Sequence, residues 1–386
     1  MQTLAVLRMV WVLVMLAWAL LAVFRMPTGL LFYATVAATE AGYVLGLLTL
    51  PAFIWGLGTP RDIVLSAIGA ATLVLLLSPL ARVGDVARAL PVELTRAFGA
   101  ATPEATNDAP FRWSRLLAFR DPSVPHQTLT YVSTPDGGAL RLDLYGGATT
   151  DSPRPLVLII HGGSWRNGDR TQLPSMAKRL AHAGYAVAAM DYRLAPAHRF
   201  PAAYDDVQAA VNYLRDHAAE LRIDPERVVL YGRSAGGHLA LLAAYRMQAP
   251  FVRGVVGLYP PTDLAYSWDH PTNPRVLDTH GTLRDFLGGA PGDSTELHAR
   301  YEEASPYAWA RESSPPTLLI HGGRDELVRP RHSERLAERL EELGVPHHVL
   351  APPWATHGCE ANPAGPSGQL TEYAVRRFLE RMFAER

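Results

Sequence analysis

A chain of 386 residues is long for one ordinary domain and comfortable for two. Its 36 Lys+Arg against 37 Asp+Glu leave no overall basic field, which excludes a general nucleic-acid binder. A single cysteine, Cys359, excludes an intramolecular disulfide and any multi-cysteine metal site. The charge is unevenly spread: residues 1–80 hold only Arg8, Arg25, Glu40, Arg61 and Asp62, and the remaining 306 residues carry the other 68.

The first part therefore reads as membrane. Apolar stretches run over about 9–24, 30–57 and 62–80, and a spanning helix needs about 20 apolar residues. The first reaches that length by including Arg8, which can snorkel to an interface. The second is interrupted by Glu40, which places its span near Ala41–Leu57 with Glu40 toward an interface. The third, Ile63 to Leu80, carries no charge. A cleaved signal peptide is the rival for the first stretch, but no A-x-A-like site follows Phe24 and two apolar segments come next. The expectation is a transmembrane segment of about three helices over residues 1–82, and a multi-pass protein whose partner is the lipid bilayer. Arg25, Arg82, Arg88 and Arg96 on the domain's side against Arg8 and Arg61 leave its side of the membrane open.

Residues 83–126 mix charges, prolines and alanines and read as a linker with some helix. From Gln127 short apolar runs alternate with helical stretches, the pattern of an α/β domain with a mostly parallel sheet, here to the end of the chain. Leu129–Ser133 and Leu140–Tyr145, joined across Pro135-Asp136-Gly137-Gly138, predict an opening hairpin. Further strands are predicted at Leu156–Ile160, Ala186–Met190, Val228–Tyr231, Val255–Leu258, Thr317–Ile320 and His347–Leu350, and helices at Ala203–His217 and Arg331–Leu343. The segment 261–315 interrupts the alternation and reads as an insertion, a possible lid. Its Tyr266, Trp268, Phe286, Tyr301, Tyr307 and Trp309 either pack it onto the domain or line a pocket.

Gly232-Arg233-Ser234-Ala235-Gly236 is a G-x-S-x-G between a predicted strand and a helix-forming stretch, the context in which a serine is exposed as a nucleophile. A serine hydroxyl needs a base, and partners in the order serine, acid, histidine follow: Asp325 just after a strand and His357 beyond the next. Glu326 is the competing acid. His161-Gly162-Gly163-Ser164-Trp165 follows a strand where an oxyanion loop belongs, with the N–H groups of Gly162, Gly163 and Ala235 as expected donors. Trp165, with Ser164 beside it, is expected to wall the substrate pocket, core packing being the alternative. His161 is expected to stabilise its loop. Metal hydrolysis is disfavoured, because His347 and His348 point to opposite faces of a strand and no helical H-E-x-x-H occurs.

HGGSW at 161–165, DYRLAP at 191–196, FPAAYDD at 200–206, GRSAGGH at 232–238 and the contexts of Asp325 and His357 resemble the hormone-sensitive-lipase-like and acetyl-xylan/feruloyl-esterase-like branches of the α/β-hydrolases. The resemblance spans about residues 127–384. It implies an α/β-hydrolase fold and cofactor-free hydrolysis of small or short-acyl carboxylic esters. The sequence departs at Ser164, which suits the HGGxW form, at Arg233, a cation beside the nucleophile, and at Cys359. The leading expectation is a membrane-anchored serine carboxylesterase. An arylformamidase-like amide hydrolase, an acyltransferase and a non-catalytic membrane protein with a hydrolase-like binding domain are the alternatives.

Overall fold

The computed structural model describes residues 2–53, 58–100, 109–118, 120–133, 138–146, 152–172 and 174–384. Its N-terminal part holds α1 (Gln2–Leu20), α2 (Phe32–Glu40), α3 (Gly42–Leu47) and α4 (Pro60–Phe98). Two of these, α1 and α4, contain stretches long and apolar enough to cross a membrane. The second apolar stretch is no straight span: the helical segments Gly29–Glu40 and Gly42–Phe53 are bent by 82° to each other. The expected span at Ala41–Leu57 thus begins at that bend and holds two short helical pieces, and its residues 54–57 lie outside the described residues. Arg8 is enclosed by protein. It is buried between α1 and α4, paired with Asp62 at 2.6 Å and donating to the Ala52 carbonyl and Ser66 Oγ, since an unpaired charge among apolar helices is costly.

The helix α4 runs 39 residues without a break, so the boundary expected at residue 82 falls inside it. Beyond that point Val83, Leu90, Leu94 and Phe98 are buried in one cluster with Phe378 and Leu379. Their helical spacing lets one face of α4 join the core of the following domain. The helix closes on Gly99, while Arg381 donates to the Phe98 carbonyl at 2.7 Å.

The domain is built of β1 (His126–Ser133), β2 (Ala139–Tyr145), β3 (Arg154–Ile160), α5 (Ser175–His182), β4 (Ala186–Met190), α6 (Ala202–Asp216), α7 (Ala218–Leu221), β5 (Ile223–Arg233), α8 (Ala235–Met247) and β6 (Val252–Leu258). Then come α9 (Leu264–Asp269), α10 (Thr279–Leu287), α11 (Thr295–Glu303), α12 (Pro306–Trp309), β7 (Thr317–Ile320), α13 (Arg331–Glu342), β8 (His347–Leu350) and α14 (Pro366–Phe383). The sheet order is β1-β2-β4-β3-β5-β6-β7-β8. β1–β2 and β2–β4 pair antiparallel and the remaining pairs are parallel. The hairpin is present, although Pro135, Asp136 and Gly137 of its connection lie outside the described residues. Along β3, Leu156, Leu158 and Ile160 enter one core and Val157 and Ile159 the other, so apolar residues fill both faces as expected of a covered parallel strand. This is the α/β-hydrolase arrangement.

The insertion 261–315 holds α9 to α12. Three of these helices open on a side chain that accepts from the first turn: Asp263, Asp278 and Ser294. Phe286 and Tyr301 are buried in the domain core.

Candidate active site

The strand β5 leads directly into α8, and Ser234 stands at the junction with φ 52° and ψ −123°. That conformation is strained for a residue with a side chain, and it persists because its surroundings fix it. Ser234 N–H donates to the Leu258 carbonyl at 2.8 Å. The flanking glycines are required by close approach. A β-carbon on Gly232 would lie 2.0 Å from the Gly236 carbonyl oxygen, and one on Gly236 2.1 Å from that of Ile160.

The structure brings Asp325 and His357 together. His357 Nδ1 lies 2.6 Å from Asp325 Oδ2, and Asp325 Oδ1 accepts from the Leu327 and Val328 N–H groups at 2.9 and 3.0 Å. Burial alone would raise the Asp325 carboxyl. The His357 charge and the hydrogen bonds from His321 and His357 outweigh burial and hold the acid well below the usual carboxylate range. Glu326, the competing acid, turns instead to Arg25 at 3.4 Å. Tyr259, the residue after β6, packs its ring 4.1 Å from that of His357. Since Leu258 holds the Ser234 backbone, this contact ties the imidazole to the segment that carries the nucleophile.

The loop after β3 lies against Ser234: a β-carbon on Gly162 would stand 3.2 Å from Ser234 Cβ. Of the three expected oxyanion donors, Gly162 is already engaged, its N–H donating to Gln172 Oε1 at 3.0 Å. Ser164 and Trp165 follow with φ 55° and 59°, so the backbone turns sharply there. A cleft of about 580 Å³ is lined by Ser164, Trp165, Ser234 and Ala235 together with Leu283 and His332. Trp165 does both things expected of it. It borders the cleft, and its ring stacks on Phe286 at 4.3 Å. None of the six aromatics of the insertion lines this cleft; its walls there are aliphatic, hydroxyl and histidine side chains.

Three supporting residues escaped the sequence reading. His238, in the second turn of the helix after Ser234, accepts from Trp165 Nε1–H at 3.2 Å and donates from Nε2 to the Ala304 carbonyl at 2.6 Å. Burial lowers its pKa to about 4, so it stays neutral and clips the oxyanion loop to the insertion. The other two are Tyr259 and Gln172. His238 lay within a quoted motif but was given no role; Gln172 carried no signal. His161 behaves as expected, its Nδ1 2.7 Å from the Gly162 carbonyl and its ring stacked on Tyr192 at 4.1 Å. Arg233 is no free cation beside the nucleophile: it pairs with Glu360 at 3.4 Å, their side chains 15% and 7% exposed. Among the described residues no cluster of His, Cys, Asp or Glu could hold a metal ion.

A family model described as BD-FAE matches residues 142–340. The esterase LipC of Mycobacterium tuberculosis is 30% identical over 250 residues, 61% of this chain and 60% of that protein. The probable carboxylic ester hydrolase LipM of the same organism is 28% identical, over 63% of this chain and 56% of LipM. The chain thus spans well under two thirds of the length of these curated relatives. A hyperthermophilic esterase from Pyrobaculum calidifontis superposes with a TM-score of 0.57 at 24% identity, covering 69% of this chain and 87% of the other. At that identity the likeness establishes the fold.

Proposed function

This chain belongs to the BD-FAE family of α/β-hydrolases, and we propose that it is a serine carboxylesterase held at a membrane by its N-terminal helices. Ser234 Oγ attacks the ester carbonyl as His357 Nε2 takes its proton, and Asp325 holds the imidazole in the tautomer that leaves Nε2 free to do so. The tetrahedral oxyanion is met by backbone N–H groups. With Gly162 committed to Gln172, the donor set we assign moves one residue on, to Gly163 and Ser164, with Ala235 opposite. Collapse expels the alcohol with the proton from His357, and water then releases the acid from Ser234. Arg233 plays no part in this scheme, its charge being matched by Glu360.

Two observations carry the reading: the 2.6 Å contact between His357 Nδ1 and Asp325 Oδ2, and a serine held at a strained strand-to-helix turn. Ser234→Ala is expected to abolish hydrolysis of p-nitrophenyl acetate and labelling by a fluorophosphonate probe. Undiminished labelling would overturn the assignment.

A further inference from the structure

In a serine esterase the imidazole that accepts the nucleophile's proton returns it to the leaving oxygen. The alcohol half of the ester must therefore lie on the imidazole's side of the serine. Two cavities meet at this site. The first is the cleft of about 580 Å³ that holds Ser234 and the oxyanion loop. The second, a narrow crevice, lies against His357 and Thr356 and is walled by Met26, Phe32 and Thr35 of the N-terminal segment together with Arg324 and Glu326. Leu327 borders both, so the two are neighbours across one side chain.

The N-terminal segment is fastened at this wall. Arg324, next to the catalytic acid, donates to the carbonyls of Leu21, Ala22 and Phe24 at the end of α1, the groups a helix terminus leaves unpaired. Arg25 pairs with Glu326, and Gly29 N–H donates to the Arg275 carbonyl at 2.9 Å. Phe32, the first residue of α2, sets its ring 6.3 Å from that of His357. Gly358, the residue after His357, borders the same ring: a β-carbon there would stand in ordinary contact with Phe32 Cζ, at 3.4 Å. Around this wall the apolar surface is open: Phe24 is 62% exposed, Tyr33 83% and Leu30 95%. Large apolar side chains so exposed within ten residues of sequence are suited to contact with lipid or an apolar ligand.

Resting on the reading of Ser234 and His357 as nucleophile and base, we infer that the substrate is an ester of a lipid-like, long-chain alcohol. The acyl group occupies the cleft at Ser234. The alcohol oxygen sits at His357, and its apolar chain passes Phe32 and Met26 and lies among the N-terminal helices. Hydrolysis consumes one water, releases the carboxylic acid on the cleft side, and leaves the neutral alcohol on the side of the apolar helices. Phe32 and Met26 are thus specificity-determining residues supplied from outside the hydrolase domain.

The test uses the full chain in detergent micelles with two substrate series: acetates of straight-chain alcohols from ethyl to dodecyl, and p-nitrophenyl esters from acetate to decanoate. In the alcohol series kcat/KM is expected to climb by roughly fourfold for each methylene buried. Phe32→Ala and Met26→Ala should flatten that climb, through KM, while the acyl series keeps its slope. Phe32→Leu, which preserves an apolar side chain, covers a failure of the alanine variant to fold and should give an intermediate slope. A flat alcohol series, or one with the same slope in wild type and Phe32→Leu, overturns the inference while hydrolysis of p-nitrophenyl acetate leaves the esterase reading standing. Hydrolysis of neither series overturns that reading and the inference with it.

Discussion

Asp325 binds its neighbours with both oxygens, one taking two backbone N–H groups and the other the imidazole. Asp325→Asn can keep the first set, because its carbonyl oxygen still accepts from Leu327 and Val328. Its amide then faces His357 Nδ1 and forces the tautomer that protonates Nε2, the wrong one for a base. The expected result is a loss in kcat of roughly ten-thousand-fold at little cost in stability, measured on p-nitrophenyl acetate with thermal unfolding as the control. That these two residues would pair was legible because they follow a G-x-S-x-G serine in the order acid then histidine, each beyond a strand. The engagement of the Gly162 N–H was not legible: its partner is the Gln172 amide, ten positions on, and no local pattern marks a side chain that turns back on a backbone N–H. Glu40 was read as interfacial, yet it is buried and accepts from Ser367 N–H and Oγ at 2.9 and 2.7 Å. Its partner lies hundreds of residues away, on the first turn of α14, beyond the reach of any spacing argument.

At the scale of elements, the strands were legible because each parallel strand is apolar on both faces and bounded by turn residues. The helix α4 was legible only in its first half. Past residue 82 its composition is that of a linker, and the repeat of Val83, Leu90, Leu94 and Phe98 gains meaning only from what it packs against. The insertion shows how elements are joined by neutral histidines. His238 links the oxyanion loop, α8 and the residue after α11. His332, on α13, accepts from Thr262 N–H at 3.3 Å and meets Ser267 Oγ at 3.1 Å. Burial lowers their pKa values to about 4 and about 3. Between the ordinary histidine value, about 6.5, and about 4, the unfolded chain binds protons that the folded one refuses. Stability therefore rises with pH through this window and is lost on acidification. The unfolding midpoint is expected to fall as pH drops from 6.5 toward 4, and His238→Gln should make that fall shallower. An unchanged slope in the variant would remove His238 from the account.

For the whole molecule, the division of charge along the sequence was enough to separate an apolar N-terminal part from a hydrolase domain. It gave no sign that the two would be fastened together beside His357. The contacts that do so are a guanidinium on helix carbonyls, a buried glutamate on a distant helix and one ring against an imidazole, each made of single residues far apart in sequence. The membrane reading is tested by fractionation. The full chain is expected to stay with membranes through an alkaline carbonate wash and to be released by detergent; release by carbonate would argue for peripheral attachment.

The unbroken run of α4 has a mechanical consequence. At 1.5 Å per residue its 39 residues trace about 58 Å of helix past Pro79 and Pro91, with one end among the apolar helices and the other packed into the hydrolase core. A catalytic body on a loose tether would sweep a volume and collide with solutes from any direction. One carried on a continuous helix is confined in height and tilt relative to the apolar helices, and on the proposed membrane reading the hunt for its target becomes diffusion in a plane.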